Sequence, residues 1–243
     1  MKSKSLIWLA ATAFLGACGS GTGPAGTRVS LSLSGGAPGP NLAVVAADTM
    51  RDGQNELILS SIEIVLREIG LKRVDVVDCD VEPEPEGCEK FETAAILATI
   101  PLDGSTQQVF NIEIDPGEYD RVEFNVHKVS DDVEDAAFRA QYPDLVGTSV
   151  RVRGSYNGTE FTFTSDLNEK QEFQLVPPIT VTDGTATNVT LHLDLSDWFT
   201  DASGALVDPV SGNKGGINEN MVIDNIRTSI DVFEDGDRDG SRG

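Results

Sequence analysis

The chain has 243 residues, 39% of them hydrophobic, with 40 Asp and Glu against 18 Lys and Arg and a formal charge of −22. That composition excludes a disordered chain, and about 200 ordered residues bury one large core or two small ones. The negative field excludes nucleic acid and anionic lipid surfaces as partners, since both need a basic footprint; cations, neutral glycans or a basic protein patch suit it better.

The chain opens with Lys2 and Lys4, followed by an apolar run over residues 6–15. A bilayer-spanning helix needs about 20 residues, so this run has instead the length of the h-region of an export signal. Leu15, Gly16, Ala17 and Cys18 come next and resemble the lipobox of bacterial lipoproteins. The resemblance implies cleavage after Ala17, lipidation of Cys18 and a membrane anchor of several acyl chains. Each buried CH₂ contributes roughly 0.8 kcal/mol, so several chains hold where one is marginal. Gly19 stands where an Asp would retain a lipoprotein at the inner membrane, which favours the outer one. The reading divides the chain into a signal peptide (1–17), a lipidated cysteine and flexible spacer (18–27), one domain (28–233) and an acidic disordered tail (234–243). Removing Lys2 and Lys4 takes the formal charge from −22 to −24.

From Arg28 onward apolar residues alternate with polar ones. Val29, Leu31 and Leu33 interleave with serines; Ile62, Ile64 and Leu66 alternate with Glu63 and Arg67. Between Cys79 and Cys88 lies an acidic, Pro-rich stretch, and with Cys18 lipidated these two cysteines are expected to close a disulfide in an oxidising compartment. Phe110, Ile112 and Ile114 alternate again, and Pro116 and Gly117 mark a turn into Val122, Phe124 and Val126. Val150 and Val152 form the next run. Phe161 and Phe163 follow the hairpin signal Asn157-Gly158, then come Phe173 and Leu175, and last Val189, Leu191, Leu193 and Leu195. Period-two patterning over many short runs predicts an all-β antiparallel sandwich of Greek-key type. Residues 130–142 read as a short capped helix. Residues 218–230 read as a second helix, with a final strand as the alternative.

Few residues here announce chemistry. His127 and His192 both fall on the polar phase of their strands and read as solvated positions. No catalytic residue is assigned, because no nucleophile motif, zinc motif or phosphate loop occurs; a pair picked from 40 acids would carry no information. Near the end, Asp235, Asp237 and Asp239 alternate and Gly240 follows, which matches the first half of a calcium loop. The sequence ends at Gly243, short of the acid such a loop carries at position twelve, so the stretch reads as a solvated tail in preference to a weak calcium site. Trp198, the one tryptophan left after signal cleavage, reads as a core plug.

The strand after the lipobox, Ile62-Glu63-Ile64, Pro116-Gly117-Glu118-Tyr119 leading into Val122-Glu123-Phe124, and the late run from Val189 to Leu195 together resemble a family of envelope lipoproteins, the domain of unknown function 4382. The resemblance covers residues 28–195. It implies a transthyretin-like sandwich and carries no established activity or catalytic residues. The functional expectation is a lipid-anchored, non-enzymatic envelope module, held to the membrane through its anchor, that binds a glycan or an envelope protein and needs no cofactor. The alternatives are an envelope hydrolase using carboxylates and a weak calcium-binding module.

Overall fold

A computed structural model describes residues 27–36, 48–75, 83, 88–91 and 94–242. The signal peptide, Cys18 and Cys79 lie outside these residues, and with Cys79 so does the expected bridge to Cys88. In chain order the strands are β1 (Arg28–Gly36), β2 (Asp48–Arg51), β3 (Glu56–Arg73), β4 (Cys88–Phe91), β5 (Ile96–Thr99), β6 (Thr106–Glu113) and β7 (Gly117–Val126). After helix α1 (Ala136–Gln141) come β8 (Val150–Tyr156), β9 (Thr159–Ser165), β10 (Glu169–Val181) and β11 (Ala186–Asp194). Helix α2 (Glu219–Thr228) leads into β12 (Ile230–Glu234).

These strands form two sheets, so the all-β expectation holds. One runs β12-β11-β1-β6; the other runs β10-β7-β3-β8-β9, with β2, β4 and β5 pairing elsewhere along β3. Among the described residues every strand pairing is antiparallel except one: β1 runs parallel to β11, Leu31 opposite Val189 and Leu33 opposite Leu191. The purely antiparallel expectation is corrected there. Parallel neighbours need a long crossover, and the whole of the second sheet lies between β1 and β11 in sequence.

The core lies between the sheets. Leu31 and Leu33 of β1, Leu191 and Leu193 of β11, and Ile62, Ile64 and Leu66 of β3 are all buried in one cluster. β3 shows how an 18-residue strand stays on it. Its buried positions move from Leu57 and Leu59 to Ile62, Ile64 and Leu66, and then to Ile69 and Leu71. The pairing register breaks between Leu59 and Ser61 against β8, and between Arg67 and Gly70 against β7. Glu68 in the second break has φ 53°. An extra residue at each break flips the pleat and returns the apolar set to the core face. Trp198, in the loop after β11, is fully buried as expected, and its indole N–H donates to Ser229 Oγ at 2.8 Å.

Both expected helices need revision. Residues 133–135 form a 3₁₀ turn, and α1 has only six residues. Asp135, which precedes α1, makes no side-chain cap to it; its buried carboxylate accepts from Ser130 N and Oγ at 2.7 and 2.9 Å. In 218–230 helix and strand both occur in sequence: α2 ends at Thr228, and Ile230 begins β12. In the acidic end, expected as a disordered tail, Asp235 is only 1% exposed, while residues 236–239, 241 and 242 are exposed.

Candidate functional site

The outward face of the four-stranded sheet is lined by small polar side chains. Ser30, Ser32 and Ser34 alternate with the core leucines of β1, and Asn188, Thr190 and His192 do the same on β11. Ser30, Ser32, Ser34, Asn188 and Thr190 are each at most 2% exposed, so something covers them. Part of the cover is residues 236–242, which leave the end of β12 and turn back across the face. Small hydroxyls let a backbone approach where the charged side chains usual on an outer strand face would hold it off.

Asp235 roots this strap. Its Oδ2 accepts from Thr190 Oγ1 at 2.7 Å and from Gly240 N at 3.0 Å, and its Oδ1 accepts from Asp239 N at 3.1 Å. Ser30 and Ser32 each donate to Asn188 Oδ1 at 2.8 Å, and Asn188 Nδ2 donates to Thr190 Oγ1 and to the Asp235 carbonyl at 3.1 Å. The buried polar groups are thereby paired, without which each would cost about 1–3 kcal/mol. Further along, Thr106 Oγ1 donates to the Arg238 carbonyl at 2.8 Å, and Arg238 Nη2 donates to Ser30 Oγ at 3.2 Å. Gly240 sits at φ +82°, which favours glycine, and a Cβ there would lie 3.1 Å from Thr106 Cγ2, so that Thr106 would have to give way by a few tenths of an ångström. At the far end Arg242 Nη2 meets both carboxylate oxygens of Asp231 at 3.0 and 2.9 Å, with the guanidinium 5.5 Å from the Phe233 ring centroid.

One carboxylate oxygen from each of Asp235, Asp237 and Asp239 can lie within 4.8 Å of the others. The sequence pattern thus brings its three acids together in space. Asp237 and Asp239 are exposed and Asp235 is buried. Oxygen donors on a rigid base and an open side suit a large, oxygen-liking ion such as calcium better than magnesium, which demands stricter octahedral geometry. These three residues are the ones that could hold a metal.

Neither histidine is merely solvated, and here the expectation is corrected. His127 Nε2 lies 2.8 and 2.9 Å from the oxygens of Asp135, a residue with no exposure. Burial works against ionisation of Asp135, but hydrogen bonds from Ser130 and His127 outweigh it and hold the carboxyl below its ordinary range. His192 Nδ1 is 2.9 Å from Ser34 Oγ, and its Nε2 is buried with no partner among the described residues. Burial pushes the imidazole below its ordinary value, against the pull of Asp194 and Asp231. Both rings took the predicted polar phase; what sequence reading missed is that packed elements cover that phase. A gap of about 10 Å³ between the sheets, lined by Val29, Leu31, Ile69, Leu71 and Val122 among others, is large enough for no more than one water. No helix among the described residues is long and apolar enough to cross a membrane.

No family model matches the chain, and no curated protein matches it. Among solved structures, MbnP from Methylosinus trichosporium is similar at 12% identity over 86% of this chain and 98% of that one, with a TM-score of 0.35.

Proposed function

We propose that the chain is a lipid-anchored module of the bacterial cell envelope that binds an envelope protein or a neutral glycan and does no chemistry of its own. The observation carrying this reading is the order of features at the N-terminus: basic residues, a short apolar run, Leu15-Gly16-Ala17-Cys18 and a small-residue spacer. A two-sheet sandwich behind such a tether is a rigid scaffold from which loops and faces are displayed. Expression in a bacterial host tests the anchor. The protein should sediment with membranes, and Cys18→Ser should release it or leave it as an uncut precursor; wild-type protein free in the periplasm would overturn the anchor.

A second reading concerns calcium, and the convergence of Asp235, Asp237 and Asp239 within 4.8 Å favours it. With three carboxylates in the loop, the affinity belongs in the weak extracellular range, on the order of 10⁻⁴–10⁻³ M. Calorimetric titration should give heat with calcium that is lost in Asp237→Asn/Asp239→Asn and smaller with magnesium. Equal heats from the variant, or from the two ions, would leave Asp237 and Asp239 as solvated charge and Asp235 as the root of the strap alone.

A further inference from the structure

We infer that the hydroxyl face beneath residues 236–242 is a docking groove for an extended, arginine-bearing protein segment, and that the chain's own strap occupies it as an internal competitor. This deepens the binding-module reading and rests on it, naming the chemistry of the partner.

The strap is the template for the ligand. Its contacts are those a foreign peptide would make: a main-chain carbonyl taken by Thr106, a guanidinium on Ser30 and a second guanidinium four residues later on Asp231 and Phe233. The last pair forms an arginine-reading subsite, with a carboxylate beside one edge of the guanidinium and an aromatic ring against it. Charge agrees: a protein of formal charge −22 draws in a basic segment and repels an acidic one.

Magnitudes make the strap exchangeable. The Arg242 and Asp231 side chains are 51% and 54% exposed, and an ion pair so open to water contributes on the order of 0–1 kcal/mol. Arg238 is exposed as well. The buried anchor is Asp235, at the root; when the residues beyond it lift, its carboxylate gives up the amides of Asp239 and Gly240, which the backbone of an incoming segment can replace. The strap thus holds its groove by bonds a foreign segment could also make, with the advantage of proximity, at an effective concentration on the order of millimolar. A free segment of similar chemistry at lower concentration loses to it, whereas a partner held nearby in the same membrane competes on equal terms.

The test uses the full chain and a fluorescent heptapeptide, Gly-Asn-Arg-Asn-Gly-Ser-Arg, which copies the strap without its acids. Fluorescence anisotropy is read in a chelator, so that the calcium reading plays no part. In wild-type protein the strap should keep the peptide out. Arg238→Glu/Arg242→Glu, which frees the strap, should bind it about tenfold tighter or more, and hydrogen exchange should show the strap amides losing protection. Adding Asp231→Asn to that variant should reverse the gain, and a peptide with both arginines replaced by glutamate should not bind. The inference is overturned if the freed variant, with an unchanged thermal melt, binds the arginine peptide no better than wild type, or binds the glutamate peptide equally well. Such a failure leaves the module reading standing if another envelope partner binds elsewhere on the domain.

Discussion

Replacing Asp235 by Ala separates a packed strap from a solvated tail. On a solvated tail the change costs nothing, within about 0.5 kcal/mol, and in so acidic a chain the loss of one negative charge even favours compactness. In the structure the substitution removes the acceptor of three hydrogen bonds. The donors are the Thr190 hydroxyl, on a residue with no exposure, and the amides of Asp239 and Gly240. Once the strap lifts the two amides find water, so the cost is dominated by the Thr190 hydroxyl and the lost charge-assisted bonds. A hydrogen bond to a charged group contributes about 1.5–3 kcal/mol, which gives an expected loss of roughly 2–3 kcal/mol for the site. For a domain of this size that corresponds to roughly 4–12 °C in Tm. Urea unfolding followed by circular dichroism reads it, with Asp237→Ala as the control that removes the same charge from an exposed position. If the unfolding free energies of the two variants agree to within about 0.5 kcal/mol, Asp235 does not anchor the strap and the reasoning fails.

Three other outcomes follow from the same structure. Gly240→Ala should cost about 1 kcal/mol and raise hydrogen exchange in the strap while leaving that of β1 unchanged; an unchanged exchange pattern would deny the close approach to Thr106. His192 has its pKa lowered in the fold, so its contribution to stability is present above the unfolded value of about 6.5 and fades as pH falls below it through the folded value. The fall in Tm on acidification from pH 7 should therefore be shallower in His192→Gln than in wild type between pH 6.5 and the onset of carboxylate protonation; parallel curves would contradict the burial of Nε2. Trp198→Ala should cost about 3–5 kcal/mol, and Trp198 emission in the signal-cleaved protein should be blue-shifted and poorly quenched by acrylamide, the reverse of an exposed indole.

Sequence and structure agree where the information is local. The phases of β1, β7 and β11, with every second residue apolar, pick out Leu31, Phe124 and Leu191 as core residues, and all three are buried. The re-phasing of β3 was hidden because Glu68 takes its positive φ without a glycine to signal it. The parallel pairing of β1 with β11 joins residues 158 apart, as in Ser30 and Asn188, and no local pattern encodes a contact of that range. At the candidate site the three alternating aspartates were legible, but the burial of Asp235 was not, because Thr190 and Asn188 meet it from another strand. One signal was present: the outward phase of β1 carries serines where a solvated strand would carry Lys or Glu, and small polar residues on an outer face mark a surface that backbone will cover.

The anchor is the claim on which the envelope assignment turns, and the mass of the mature N-terminus measures it directly. Trypsin should release residues 18–28 as one peptide from protein purified out of bacterial membranes. The account predicts that this peptide begins at Cys18 and carries the mass of a diacylglyceryl group on sulfur with a further acyl chain on the amine. An unmodified Cys18, or a chain that still begins at Met1 or is cut elsewhere, would contradict it.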